Sequence, residues 1–136
     1  MAKIVTDAAM HRAEVLLHEL YDLFSKGDIE SVLAMCTDDI IFHVPGTAPF
    51  SGAYTKATFP DLVWQVMQIS GDTLGDLPSE IVADDEHGIA VLEHTLHRDG
   101  VAITYRVDHV WRLRDGKFCA WLARPGNEDE FNRAWS

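Results

Sequence analysis

The sequence predicts an α+β fold, with helices first and an antiparallel sheet after them. Two observations carry this. Up to about Ile69 apolar residues recur mostly at helical spacing, and past Gly75 the period changes to two. Two Asp-Gly pairs, Asp99-Gly100 and Asp115-Gly116, stand between alternating runs, the strongest short hairpin signal. That order packs the helices on one face of the sheet. The 136 residues form one domain, 1–136, long enough for a hydrophobic core.

Each element has a local cause. From Ala8 to Lys26, Val15, Leu16, Leu20, Leu23 and Phe24 recur at helical spacing, and Leu17 and Tyr21 widen the stripe. Asp7 is the expected N-cap and Gly27 the stop. Asp28 caps a second, shorter helix through about Met35. Asp38-Asp39 then open a strand, Ile40–Val44, which Pro45-Gly46 closes because they cannot continue a ladder. His43 sits inside that apolar run, so its surroundings must satisfy its ring nitrogens or use them. A Gly- and Pro-bearing loop runs to about Thr58. Phe59, Leu62, Val63, Val66, Met67 and Ile69 mark a third helix, with Pro60 in its first turn and Gly71 at its end. Strands are predicted near Leu77–Ala83, Gly88–Arg98, Val101–Arg114 and Lys117–Arg124. There are no repeats or low-complexity tracts.

If both Asp-Gly pairs are two-residue turns, the register follows. Leu96 faces Ile103, His94 faces Tyr105, Leu92 faces Val107 and Ala90 faces His109. Between them lie Thr95 with Thr104, Glu93 with Arg106, and Val91 with Asp108. In the second hairpin Leu113 faces Phe118, Trp111 faces Ala120, and His109 faces Leu122. One face then gathers the apolar side chains, with His94 and His109 among them. The other carries Glu93, Arg106, Asp108 and Arg112, with Cys119 as packing. A one-residue bulge would exchange the faces beyond it, and the agreement of the two hairpins argues against one.

Composition excludes several classes. Hydrophobic residues make up 47% and the net charge is −11, so phosphate backbones and anionic membranes would repel the chain. No nucleic-acid or membrane partner is expected. Cys36 and Cys119 form no motif, which points to a reducing cytoplasm. The N-terminus lacks the apolar core of a signal peptide, and no segment is long enough to span a bilayer. There is no phosphate-cradling glycine loop or dinucleotide fingerprint, so no cofactor is expected. The histidine spacing follows no metal motif, so no metal is expected either.

The order of elements, with Gly27-Asp28, Asp38-Asp39, His43-Val44-Pro45-Gly46, Ser51-Gly52-Ala53-Tyr54, Ala83-Asp84-Asp85-Glu86-His87, Arg98-Asp99-Gly100, the run from His109 to Lys117 and the tail Asp129-Glu130-Phe131, resembles the nuclear transport factor 2-like superfamily. Within it the chain resembles the SnoaL-like, ketosteroid-isomerase-like group, over nearly its whole length. The resemblance implies a cystatin-like α+β roll: a curved antiparallel sheet wrapped by N-terminal helices into a cone with an apolar pocket. Dimers are common in that group, so a homodimer is expected. Val110 and Trp121, read as neighbours on the outer face, are its expected contact.

The superfamily hosts isomerases, cyclases, hydratases, epoxide hydrolases and non-catalytic binders. Ketosteroid isomerase uses a carboxylate base at the end of its first strand. Here His43 or Val44 takes that place, and an imidazole can move the same proton near neutral pH. For the oxyanion hole of that enzyme, Tyr21 or Leu20 matches the tyrosine. Asp108 or His109 matches the aspartate, and the face assignment favours His109. Limonene-type epoxide hydrolase uses an Arg-x-Asp pair, which Arg106-Val107-Asp108 matches, but the last strand has no acid. Arg106 is more simply the cross-strand partner of Glu93. The expected function is therefore isomerase, cyclase or hydratase chemistry on a small hydrophobic molecule, without a cofactor. His43 and His109 are the expected catalytic pair. Tyr21, Tyr54, Trp64, Met67, His94, Tyr105 and Trp111 are expected to shape the pocket. The alternative is a non-catalytic carrier, in which both histidines serve as structural core residues.

Overall fold

The computed structural model describes residues 12–70 and 78–136. The expected Asp7 cap, the Gly71 stop and the start of the strand at Leu77 lie outside the described residues. Among the described residues the order is α1 (Arg12–Ser25), α2 (Ile29–Ala34), β1 (Cys36–Val44), β2 (Gly52–Thr55), α3 (Phe59–Ser70), β3 (Glu80–Ala83), β4 (His87–Arg98), β5 (Val101–Arg114), β6 (Lys117–Pro125) and α4 (Glu128–Trp135).

The caps behave as their sequence predicts. Gly27 adopts a left-handed φ of 73°, and the next N–H, of Asp28, closes on Leu23 O at 3.0 Å. The Asp28 carboxylate then accepts from Ser31 N–H at 3.1 Å and starts α2. Three element boundaries or elements differ from expectation. β1 begins at Cys36, earlier than Ile40, and β2 forms where a loop was expected. The third is α4, which the sequence reading lacked. Asn127 caps it by accepting from Glu130 N–H at 3.1 Å, and three acidic residues fill its first turn. Phe131, Ala134 and Trp135 form its buried face.

The six strands form one sheet in the order β2-β1-β6-β5-β4-β3. β1 runs parallel to β6, and every other pair is antiparallel. Both Asp-Gly pairs are tight hairpin turns: Asp99 and Asp115 each have φ 52°, followed by Gly100 at 79° and Gly116 at 78°. Both central residues are left-handed, the turn that matches strand twist. Between β4 and β5 every expected pair forms, including Ala90 with His109 and Glu93 with Arg106.

The second hairpin departs after its first pairs. Leu113 still faces Phe118, but Arg112 faces Ala120, so Cys119 is an extra residue in β6. The expectation of no bulge is thus overturned. Trp111 pairs with Trp121 rather than Ala120, and His109 with Ala123 rather than Leu122. The physical cause is burial. With the bulge, Phe118, Trp121 and Ala123 all turn to the face that the helices cover, and Leu122 turns away.

That inner face carries the core. Trp111, Phe118, Phe42 and Leu92 from the sheet meet Leu17 and Leu20 from α1, Phe59 and Leu62 from α3, and Trp135 from α4, all buried. On the outer face the pairings place Ala53, His43, Leu122, Val110, Ile89 and Val82 in one line across all six strands. No described helix is long and apolar enough to cross a membrane.

Candidate functional site

A cavity of about 430 Å³ lies between the inner sheet face and the helices. Phe24, Phe59 and Val66 close it from the helical side, Val44, Leu92, Val107 and Trp121 from the sheet, and Phe131 and Trp135 from α4. Its ionisable lining side chains, among the described residues, are Tyr21, His94, Tyr105 and His109. Among the described residues neither carboxylates nor Lys or Arg line it. Trapped between apolar walls, any polar group here must be bonded or be used.

Two indoles organise the polar groups. The Trp111 Nε1–H donates to the Tyr21 hydroxyl at 3.0 Å, and that oxygen lies 2.6 Å from His109 Nδ1. In parallel, the Trp135 Nε1–H donates to the Tyr105 hydroxyl at 2.8 Å. The His94 ring sits 5.6 Å from the Tyr105 ring and 5.7 Å from that of His109. Trp121 stands edge-on to His109 at 5.0 Å. Burial, then the nearby His94, hold the His109 pKa well below its ordinary value, so its imidazole is neutral at pH 7. Burial also raises the Tyr21 hydroxyl, only partly offset by the Trp111 hydrogen bond, so it stays protonated.

The structure decides the open alternatives of the sequence. Val44, not His43, faces the cavity from the end of β1. Tyr21, not Leu20, supplies the helix-borne hydroxyl, and His109, not Asp108, points inward from β5. His43 is exposed on the outer face, because Phe42 and Val44 on either side of it point inward. The expected pairing of His43 with His109 in one cavity therefore does not form, and His94 is the histidine beside His109. Tyr105 and Met67 line the cavity as expected. Tyr54 does not line it: its hydroxyl donates to Phe50 O at 2.7 Å and accepts from Gln65 Nε2 at 3.3 Å. Trp64 is 64% exposed and borders a separate surface groove with Leu33 and Pro60. Trp111 is fully buried behind Tyr21 instead of lining the cavity. Arg106 is exposed, 3.7 Å from Asp108 on the outer face, so the Arg-x-Asp pair of the epoxide-hydrolase comparison is not at the cavity.

Several lining residues escaped the sequence reading. Trp121 and Ala123 were assigned to the wrong face by the missed bulge. Phe131 and Trp135 belong to the missed helix, although Asn127 and the 131, 134, 135 spacing signal it.

A family profile described as a SnoaL-like domain matches residues 17–121. No curated protein matches the chain. Solved structures of similar fold include Bal32a from a soil-derived mobile gene cassette, 16% identical with TM-score 0.82, covering 92% of this chain and 96% of that one. An NTF2-like protein from Burkholderia pseudomallei is 18% identical with TM-score 0.74, covering 93% and 99%. TerC, co-crystallised with polyporic acid, is 19% identical with TM-score 0.74, covering 85% and 91%.

Proposed function

The chain belongs to the SnoaL-like family, and from that premise we propose that it is a small-molecule enzyme of isomerase, cyclase or hydratase type. One observation carries the reading: His109 and a second histidine, His94, stand 5.7 Å apart, ring to ring, in a largely apolar cavity of about 430 Å³ that also holds the Tyr21 and Tyr105 hydroxyls. The cavity has the size and wall chemistry of a small-ligand site. His109 polarises an oxygen of the substrate, and His94 takes or gives the proton, a role that an imidazole fills near neutral pH. The co-crystal of TerC with polyporic acid supports a ligand-holding use of this architecture. The two cysteines are free, which supports a cytoplasmic setting.

The test is turnover of a panel of uncharged terpenoid and polyketide-type ketones, followed by liquid chromatography with mass detection. His94→Gln and His109→Asn are each expected to lower the turnover that the panel reveals by about two to four powers of ten, with melting temperatures near that of the parent. Micromolar binding without turnover of any member would favour a carrier, the reading that the predominantly apolar wall supports.

The same protein is expected to dimerise through its outer sheet face. The expected contact of Val110 with Trp121 is replaced by Val110 with Leu122, because the bulge turns Trp121 inward. The apolar line through Leu122, Val110, Ile89 and Val82 would gain cover in that arrangement. Light scattering should report twice the chain mass for the parent and a single chain for Val110→Arg. A parent that is monomeric at micromolar concentration would refute it.

A further inference from the structure

We propose that His109 is a fixed hydrogen-bond donor through Nε2, with Tyr21 and Trp111 as positioning residues that lock its tautomer, and that the site takes an uncharged ligand bearing a carbonyl-type oxygen. The ligand half rests on the cavity reading above; the tautomer half does not.

The hydrogens available to Trp111, Tyr21 and His109 set the tautomer. An indole N–H can only donate, so the Trp111 bond at 3.0 Å uses the Tyr21 oxygen as acceptor. A phenol has one hydrogen, and the contact between Tyr21 and His109 Nδ1 is 2.6 Å. If Nδ1 carried the proton, the Tyr21 oxygen would accept twice and its own hydrogen would need another acceptor. Among the described residues Tyr21 has no other hydrogen-bond partner. That state would leave two polar positions open, the hydroxyl hydrogen and the Nε2 lone pair, against one, the Nε2–H, in the other tautomer, and each open buried group is costly. Tyr21 therefore donates to Nδ1, and the neutral ring carries its hydrogen on Nε2. Protonating His109 would place the ring's second N–H hydrogen at Nδ1 and strand the same hydroxyl. Burial and His94 act in the same direction. In this state His109 has no free lone pair and cannot be a base.

The Nε2–H makes no hydrogen bond to any described residue, on a side chain that lines the cavity. A donor so placed calls for an oxygen acceptor from the ligand. That acceptor is uncharged, because no described lining residue is a Lys or Arg that could offset a buried anion. Ser25, the remaining hydroxyl of the lining, is engaged with Asp22 O at 2.6 Å. Among the described residues the titratable groups that face His109 are Tyr21 from α1 and His94 from β4.

Nitrogen-15 NMR of the histidine rings in the full chain tests the tautomer without a variant. The expected spectrum shows His109 with a pyridine-type Nδ1 and a protonated Nε2, unchanged from about pH 5 to 8. A protonated Nδ1, or titration in that range, overturns the proposal. Tyr21→Phe should shift the ring toward a mixture of tautomers; an unchanged ring in a folded variant would remove Tyr21 from its positioning role. The ligand half is read with prodan, an uncharged naphthyl ketone, against the anionic probe anilinonaphthalene sulfonate. Prodan should bind the parent at least about tenfold more tightly than the sulfonate does, and Tyr21→Phe should weaken prodan by about tenfold. Equal binding of the two probes overturns the uncharged-ligand assignment. If neither binds while the ring shows the expected tautomer, the cavity reading fails and the donor assignment stands.

Discussion

Trp121→Ala is expected to cost about 3 kcal/mol of stability, while deleting Cys119 costs about 1 kcal/mol. Cys119 is the extra residue between Phe118 and Ala120, opposite no partner in β5. Its removal leaves a strict alternation that still turns Phe118, Trp121 and Ala123 inward and Ala120 and Leu122 outward. Losing the indole is the larger change, because it is partly buried against the core, 5.0 Å from the His109 ring and 6.1 Å from that of Phe42. Replacing a core aromatic by alanine costs about 3–5 kcal/mol, with the lower end for a partly buried ring, against a total domain stability of about 5–15 kcal/mol. Urea unfolding followed by circular dichroism reads the difference. A deletion variant as unstable as Trp121→Ala would mean that β6 needs the bulge itself to hold its register.

Trp135→Ala should destabilise the protein by about 3–5 kcal/mol. The side chain is 1% exposed, stands edge-on to Phe50 at 4.9 Å, and donates to Tyr105. It also forms part of the cavity wall. Alanine removes the ring and deprives the Tyr105 hydroxyl of its donor. Trp135→Phe separates the two effects: most of the packing stays, and the lost hydrogen bond alone costs about 1 kcal/mol. Thermal melts of both variants measure this. An alanine variant that melts with the parent would show that α4 is not integral to the fold.

The parts of this protein legible in its sequence are those set by short-range chemistry. Asp28 and Gly27 define the α1–α2 junction through bonds spanning only a few residues. Asp99-Gly100 forces a left-handed turn, and that turn determines the twelve β4–β5 pairings. Half of the candidate site follows directly, because His94, Tyr105 and His109 sit on the face those pairings gather. Tyr21 follows from the helical stripe. α4 was legible too: its cap and its 131, 134, 135 spacing are local signals.

Other features could not be read locally. His43 lies in a run that looks buried on both sides, but helices cover only one face of β1, so the strand exposes it. The bulge has no signature in Phe118-Cys119-Ala120-Trp121, since either alternation buries one large side chain, Trp121 or Leu122. The choice between them depends on what faces the strand across the cavity. By itself, then, the sequence determined the order of the first three helices and of the strands other than β2, the turns, the first hairpin register and the identity of Tyr21, His94, Tyr105 and His109 as inward groups. Only the tertiary structure decided that His94 and not His43 accompanies His109, that Trp121 faces inward, and that Trp111 reaches His109 through Tyr21. Caps and turns involve neighbours in the chain, whereas a side chain's face and partner depend on contacts between residues as much as 90 positions apart, such as Trp111 and Tyr21.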